Sequence, residues 1–158
     1  MFCFYLGLSI ILFVIVVFVV TTPSTSISKV AFSASLTTRL ALGQHQIVEY
    51  DKVLTNIGNG YDSRHGHFTA PIKAVYLFSC SMMNIQAMSD AYLEIVKNGI
   101  RVAHLYSDKD DFSMATQVVI VLLEKGDMVW VRHSNTASSQ SLHETGYNTF
   151  VGTILFEI

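Results

Sequence analysis

The chain is poor in the residues that staple or punctuate a small exported domain. It has two cysteines, two prolines and a single tryptophan in 158 residues. Cys3 falls in an apolar N-terminal run, which leaves Cys80 alone, so an exported fold has to stand without an internal disulfide. No N-x-S/T sequence occurs, and N-linked glycans are therefore not expected. Charge is scarce too: ten basic residues face twelve acidic ones, for a net charge of −2. Without a basic stripe, a nucleic-acid partner is not expected. Helical periodicity is scarce beyond Lys29, and there is no Gly-X-Y run or heptad segment. No G-x-S-x-G, H-E-x-x-H or glycine-rich phosphate loop appears, so the expectation is a protein that is not an enzyme.

Long apolar runs, by contrast, are present. Phe2–Val20 carries no charge and is followed by the small, polar stretch Thr21-Thr-Pro-Ser-Thr-Ser26. Residues 1–26 therefore read as a signal peptide, or as a retained signal anchor, since the run would nearly cross a bilayer. Either way the remaining domain, residues 29–158, faces the outside. A membrane partner is expected only if the segment is retained, which would make the protein a type II membrane protein rather than a secreted one.

Past the leader, short apolar runs recur between turn signals, the pattern of an all-β sandwich. Strands are expected over Val30–Ser35, His45–Tyr50, His65–Thr69, Lys73–Met83, Ala91–Lys97, Val102–Tyr106, Met114–Leu123, Met128–His133 and Asn148–Phe156. Turns are expected at 56–60, 98–99, 107–111, 125–127 and 134–140. Asn98-Gly99 between two alternating runs is a hairpin signal. Ala91-Tyr-Leu-Glu-Ile-Val-Lys97 places polar groups on an apolar run, as a sheet with one wet side requires. Val118-Val-Ile-Val-Leu-Leu123 is apolar at every position, and Phe150–Phe156 nearly so. Side chains alternate between faces, so such strands must lose water on both sides. With no helix long enough to cover the outer side, a second copy of the chain is the simplest cover. Val75, Leu77, Val119, Val121, Val151 and Leu155 are the candidate self-association residues.

From Tyr50 to Cys80 the chain carries a ladder of Tyr50, Asn56, Tyr61, Phe68, Ala74, Tyr76, Phe78 and Cys80, punctuated by Gly58, Gly60, Gly66 and Pro71. This ladder resembles the signature of the globular head of complement 1q, the gC1q domain, a relative of the tumour-necrosis-factor jelly roll. Val30-Ala-Phe-Ser-Ala34, Gly66-His-Phe-Thr-Ala-Pro71, Asn98-Gly99, Gly126-Asp127 with Val129-Trp130-Val131, and Thr149-Phe150-Val-Gly152 match further blocks in order. Tyr50, Ala74 and Cys80 depart from the usual Phe, Gly and aromatic residue. Cys80 in particular should leave space for Met82 or Met83 to fill. The resemblance implies a ten-stranded jelly-roll β-sandwich assembling as a homotrimer, here in a head-only secreted form. It implies a recognition protein for microbial or other extracellular glycan or protein ligands, with innate immunity as the setting. A membrane-anchored signalling ligand of the tumour-necrosis-factor type is the alternative.

Two groups are candidates for ligand chemistry. Arg64, His65 and His67 form an exposed polar cluster, and His65-Gly-His67 has the spacing of metal-binding cupins but lacks a following carboxylate, which favours surface histidines over a metal enzyme. Asp108, Asp110 and Asp111 crowd three carboxylates into one loop and suit a calcium ion, the single cofactor the sequence suggests. Cys80, on the core face of its strand, reads as an inert buried thiol. His45, His104, His133 and His143 show no ligand spacing, and Trp130 and Arg132 read as ordinary strand residues.

Overall fold

The computed structural model describes residues 28–85, 90–110, 112–134, 140–144 and 146–158. The leader or anchor expected over residues 1–26 lies outside them. Among the described residues no helix is long and apolar enough to cross a membrane.

The described residues form twelve strands: β1 (Ala31–Ser35), β2 (Leu40–Leu42), β3 (Lys52–Ile57), β4 (Tyr61–Asp62), β5 (His67–Thr69), β6 (Ala74–Met83), β7 (Ala91–Lys97), β8 (Ile100–Ser107), β9 (Met114–Leu123), β10 (Met128–His133), β11 (Gln140–Leu142) and β12 (Thr149–Glu157). Ten of them build two five-stranded sheets, in the orders β3-β1-β12-β6-β9 and β4-β5-β10-β7-β8, and β2 pairs with β11 in a small third sheet. Every strand pairing is antiparallel. Apart from the consecutive pairs β4-β5 and β7-β8, neighbours in the two sheets come from separate parts of the sequence, the connectivity of a jelly roll. The all-β, ten-stranded sandwich expected from the sequence is the observed fold.

The aromatic ladder explains why these two sheets close on each other. Phe32, Tyr50, Phe68, Tyr76, Phe78 and Phe150 are at most 3% exposed, and Tyr61 is 5% exposed. Phe32 stacks on Tyr61 with centroids 4.8 Å apart and meets Phe150 edge-on at 4.9 Å. Such pairs add about 0.5–1.5 kcal/mol each beyond the burial of their area. Asn56 holds the turn that delivers Tyr61: its side chain accepts from Tyr61 N (3.1 Å) and donates to Tyr61 O (2.9 Å), imitating a backbone ladder. The expected hairpin forms at Asn98-Gly99, with φ of 49° and 87°, both in the left-handed region that a two-residue turn of this kind needs.

The Tyr50 hydroxyl, an atom that Phe would lack, lies 3.3 Å from Cys80 Sγ. Two departures from the family pattern thus fit each other, one ring gaining an oxygen where the facing strand loses a ring. Burial pushes the Cys80 thiol up to about 12. Met82 is also fully buried, as part of the general core.

Two sequence expectations need correcting. His45–Tyr50 does not form a strand. It makes one isolated bridge, Ile47 with Arg132, and the backbone bonds Val48 N to Val131 O and His133 N to Gln46 O, both 2.9 Å. His45, at φ 56°, interrupts any extended run. The segment still contributes Val48 and Tyr50 to the core. Conversely, Lys52–Ile57, where no strand was expected, is an edge strand against β1.

Candidate ligand-binding site

The two sheets present opposite chemistry on their outer faces. On the first sheet, register places Leu77 beside Ile120, Val75 beside Leu122, Ser79 beside Val118 and Val151 beside Ser79. Phe156 lies next to Val75 beyond a bulge. Val118 is 52% exposed, Ile120 61%, Leu122 45% and Phe156 56%. No charged residue is on this face along β6 or β9, where Ser81 and Thr116 continue it. A shallow depression of about 210 Å³ opens between Ala31, Ser33, Thr55, Leu77, Val151 and Thr153 on the same side.

Of the six self-association candidates, Val75, Leu77 and Val151 stand on this outer face. Val119 and Val121 do not: they pair with Phe78 and Tyr76 and pack against the core. Leu155 occupies the bulge between Ile154 and Phe156. The outward-facing residues of β9 are Val118, Ile120 and Leu122. A run that is apolar at every position conceals its own phase, and the error of one residue exchanges the faces.

The second sheet is polar and aromatic outside. Glu94, on β7, is 5% exposed at its side chain and takes a bond from Arg132 Nε at 2.9 Å. Arg101 Nη1 stands at 3.3 Å and His104 Nε2 at 3.7 Å. Burial alone would raise the Glu94 carboxyl, but the Arg132 and Arg101 bonds outweigh it and leave the group below its ordinary value. Beside the network, the rings of Tyr92 and Tyr106 lie 5.1 Å apart. None of these residues was singled out for ligand chemistry from the sequence. They come from three strands, and only the hairpin at Asn98-Gly99 hinted that positions 94 and 104 meet.

Arg64, His65 and His67 gather at the other edge of this sheet. Asp62 ends β4 and organises the turn that follows. It accepts from Arg64 Nη2 at 3.2 Å and contacts His65 Nδ1 at 2.8 Å. Those bonds, from Arg64 first and His65 second, hold the Asp62 carboxyl far below the usual range. Gly66 closes the turn at φ 67°, where a Cβ would come within 2.5 Å of Val48 O, so no other residue fits. The chain then re-enters the sheet, His67 pairing with Trp130 and Phe68 turning inward. The His65 and His67 rings are 5.8 Å apart. A cavity of about 360 Å³ lies over them, lined by Ile47, Glu49, His65, His67, Met128 and Trp130. Trp130, read from the sequence as an ordinary strand residue, is half-buried and lines this cavity.

Among the described residues no three His, Cys, Asp or Glu side chains are grouped to hold a metal ion. For the calcium candidates, the Asp108 carboxylate accepts from Lys109 N at 2.7 Å and Asp110 O accepts from Ser113 N at 3.1 Å. Asp111 lies outside the described residues.

The pattern of the C1q domain matches residues 31–155 of the chain. The chain belongs to the C1q domain family. It is 36% identical over 133 residues to Complement C1q tumor necrosis factor-related protein 3 of Mus musculus, and equally so to that of Homo sapiens, matching over 82% of this chain and 52% of each relative. It is 29% identical to Caprin-2 of Danio rerio over 132 residues, 82% of this chain and 14% of that protein. The chain thus spans about half the length of the first of these relatives and less of the other. Among solved structures, the globular domain of zebrafish complement 1qA superposes with a TM-score of 0.68 at 18% identity, covering 82% of this chain and all of that one. The Eiger tumour necrosis factor of S. frugiperda gives 0.68 at 12% identity, over 83% of this chain and 95% of that one. At such identities these two establish the shared jelly roll and no more.

Proposed function

We propose that this C1q domain is the head of a secreted homotrimer that recognises extracellular ligands and catalyses no reaction. The observation that carries this reading is the contrast between the two outer faces. An uncharged face bearing Val75, Leu77, Val118, Ile120, Leu122, Val151 and Phe156 is costly to leave in water, and a second and third copy would bury it. Each such residue contributes about 1.5–3 kcal/mol on full burial. That leaves the Glu94–Arg132–Arg101 network, the Tyr92–Tyr106 pair and the His67–Trp130 cavity facing outward, where a ligand can reach them. Microbial glycans and surface proteins, met in innate immunity, are the ligand class this reading favours.

Two measurements test it. Light scattering on the purified domain should give three times the chain mass at micromolar concentration, and one chain mass with the fold intact would overturn the assembly. Titration against lipopolysaccharide, peptidoglycan and whole cells should give saturable binding to at least one; none would overturn recognition. Mass spectrometry of the mature N-terminus separates secretion from anchoring, an intact Met1 in the membrane fraction being the mark of an anchored signalling ligand.

A further inference from the structure

The cavity beside Trp130 has a lining whose charge and shape select one kind of ligand. It is lined by Ile47, Met128 and Trp130 together with His65 and His67. Glu49, an exposed residue, also lines the cavity, and among the described residues its carboxylate has no ion pair and no side-chain hydrogen bond. The other charges nearby are already matched, since Asp62 is bound by both Arg64 and His65. The cavity therefore holds one uncompensated negative charge next to the chain's single indole.

We propose that this cavity binds a small alkylammonium cation, of the trimethylammonium type. Tryptophan offers the strongest π-face for a cation, and a quaternary ammonium loses less hydration than a primary amine when it leaves water. Ile47 and Met128 supply apolar contact for its methyl groups, and the Met128 thioether is polarisable enough to adapt to them. Glu49 supplies the counter-charge without closing the cavity with an ion pair of its own. At about 360 Å³ the space is large enough for such a headgroup and too small for an extended polymer, so a longer ligand would present only its terminal cation here. The inference rests on the recognition reading above and gives that reading a ligand chemistry; it is independent of whether three copies assemble.

Trp130 is the only tryptophan in the chain, so its fluorescence reports on this cavity alone. The full exported domain is titrated with choline chloride, with its uncharged isostere 3,3-dimethylbutan-1-ol, and with methyl glucoside. The expected result is a saturable change with choline, none with the isostere at equal concentration, and an affinity for choline weakened about tenfold in Glu49→Gln. Glu49 is exposed, so that variant should keep the wild-type circular dichroism. An equal response to the isostere would show a merely apolar cavity and overturn the proposal. A saturable response to the glucoside with choline silent would make the site a carbohydrate subsite and overturn it equally, as would silence with all three. Failure here with a trimeric, ligand-binding protein sinks the cavity assignment and leaves the recognition reading standing.

Discussion

Replacing Ile120 with glutamate should convert the proposed trimer into a folded monomer. Ile120 is 61% exposed in the single chain, on the outer face of β9 next to Leu77. Full burial of such a side chain is worth about 1.5–3 kcal/mol, so the part left exposed in the monomer contributes about 1–2 kcal/mol per copy on assembly. Across three copies the loss is about 3–6 kcal/mol, a factor of about 10²–10⁴ in the assembly constant. The new carboxylates add a desolvation penalty of several kcal/mol each if they are forced into the interface, about enough to abolish it. The monomer itself should be unaffected, because the side chain leaves a surface position and Val119 and Val121 still face the core. Light scattering reads the mass and far-ultraviolet circular dichroism reads the fold. Ile100→Glu is the control: Ile100 is 73% exposed but sits at the hairpin of the other sheet, so its mass should remain that of the wild type. A trimeric Ile120→Glu protein, or a monomeric Ile100→Glu one, would refute the assignment of the sealing face.

Further predictions concern the interior and the charged face. Gly152→Ala would put a Cβ 2.4 Å from Phe32 Cε1 and 2.7 Å from Phe78 Cδ1, and should lower stability by about 1–3 kcal/mol in denaturant titration. Cys80→Phe should be destabilising alone and partly rescued by Tyr50→Phe, with a coupling of about 0.5–3 kcal/mol in the double-mutant cycle, because the ring would occupy the space the Tyr50 hydroxyl now fills. With its thiol pushed up to about 12 and fully buried, Cys80 should resist thiol reagents in the native protein and react on unfolding. Glu94 is held below its ordinary value when folded, so its contribution is present above about pH 4.3 and fades as the pH falls through the lowered native value. The stability gap between wild type and Glu94→Gln should therefore be widest near neutrality and shrink on acidification.

The parts of this fold that were legible in the sequence are those where local chemistry leaves one solution. Ala91–Lys97, Met114–Leu123 and Met128–His133 form over the residues expected, because apolar runs bounded by turn formers have few other conformations in an all-β chain. What stayed hidden is what register decides. Nothing in Val118–Leu123 distinguishes its faces, and only the pairing of Val119 with Phe78 does so. The Glu94 network was hidden for the same reason. A two-residue turn at Asn98-Gly99 pairs Lys97 with Ile100 and Val96 with Arg101, but a bulge then moves the register so that Glu94 meets His104. Arg132 arrives from a strand further along the chain. The His65–His67 pair was visible as a spacing, whereas its neighbours Ile47, Glu49, Met128 and Trp130 come from two other segments that carry no local mark of the cavity.

The division of labour proposed for the two sheets follows from a constraint that acts before any ligand is considered. A sandwich of this length has one shared interior, and the aromatic ladder fills it with residues from both sheets. Each sheet is left with one face to place. The first sheet cannot leave Val118, Ile120, Leu122 and Phe156 in water without becoming adhesive, and its outer face along β6 and β9 offers no charge to limit that adhesion to reversible contact. In the proposed trimer, sealing it against copies of itself is the closed solution, since a rotation that brings each copy to the next leaves no sticky face behind. The second sheet would then be the broad face free to meet anything else, and it is there that a carboxylate is buried against two arginines and that Glu49, without an ion pair among the described residues, lines a cavity with the only indole. Recognition in this protein is therefore expected on the β4-β5-β10-β7-β8 sheet and its loops, and substitutions that abolish binding while preserving assembly should map there and nowhere on β6 or β9.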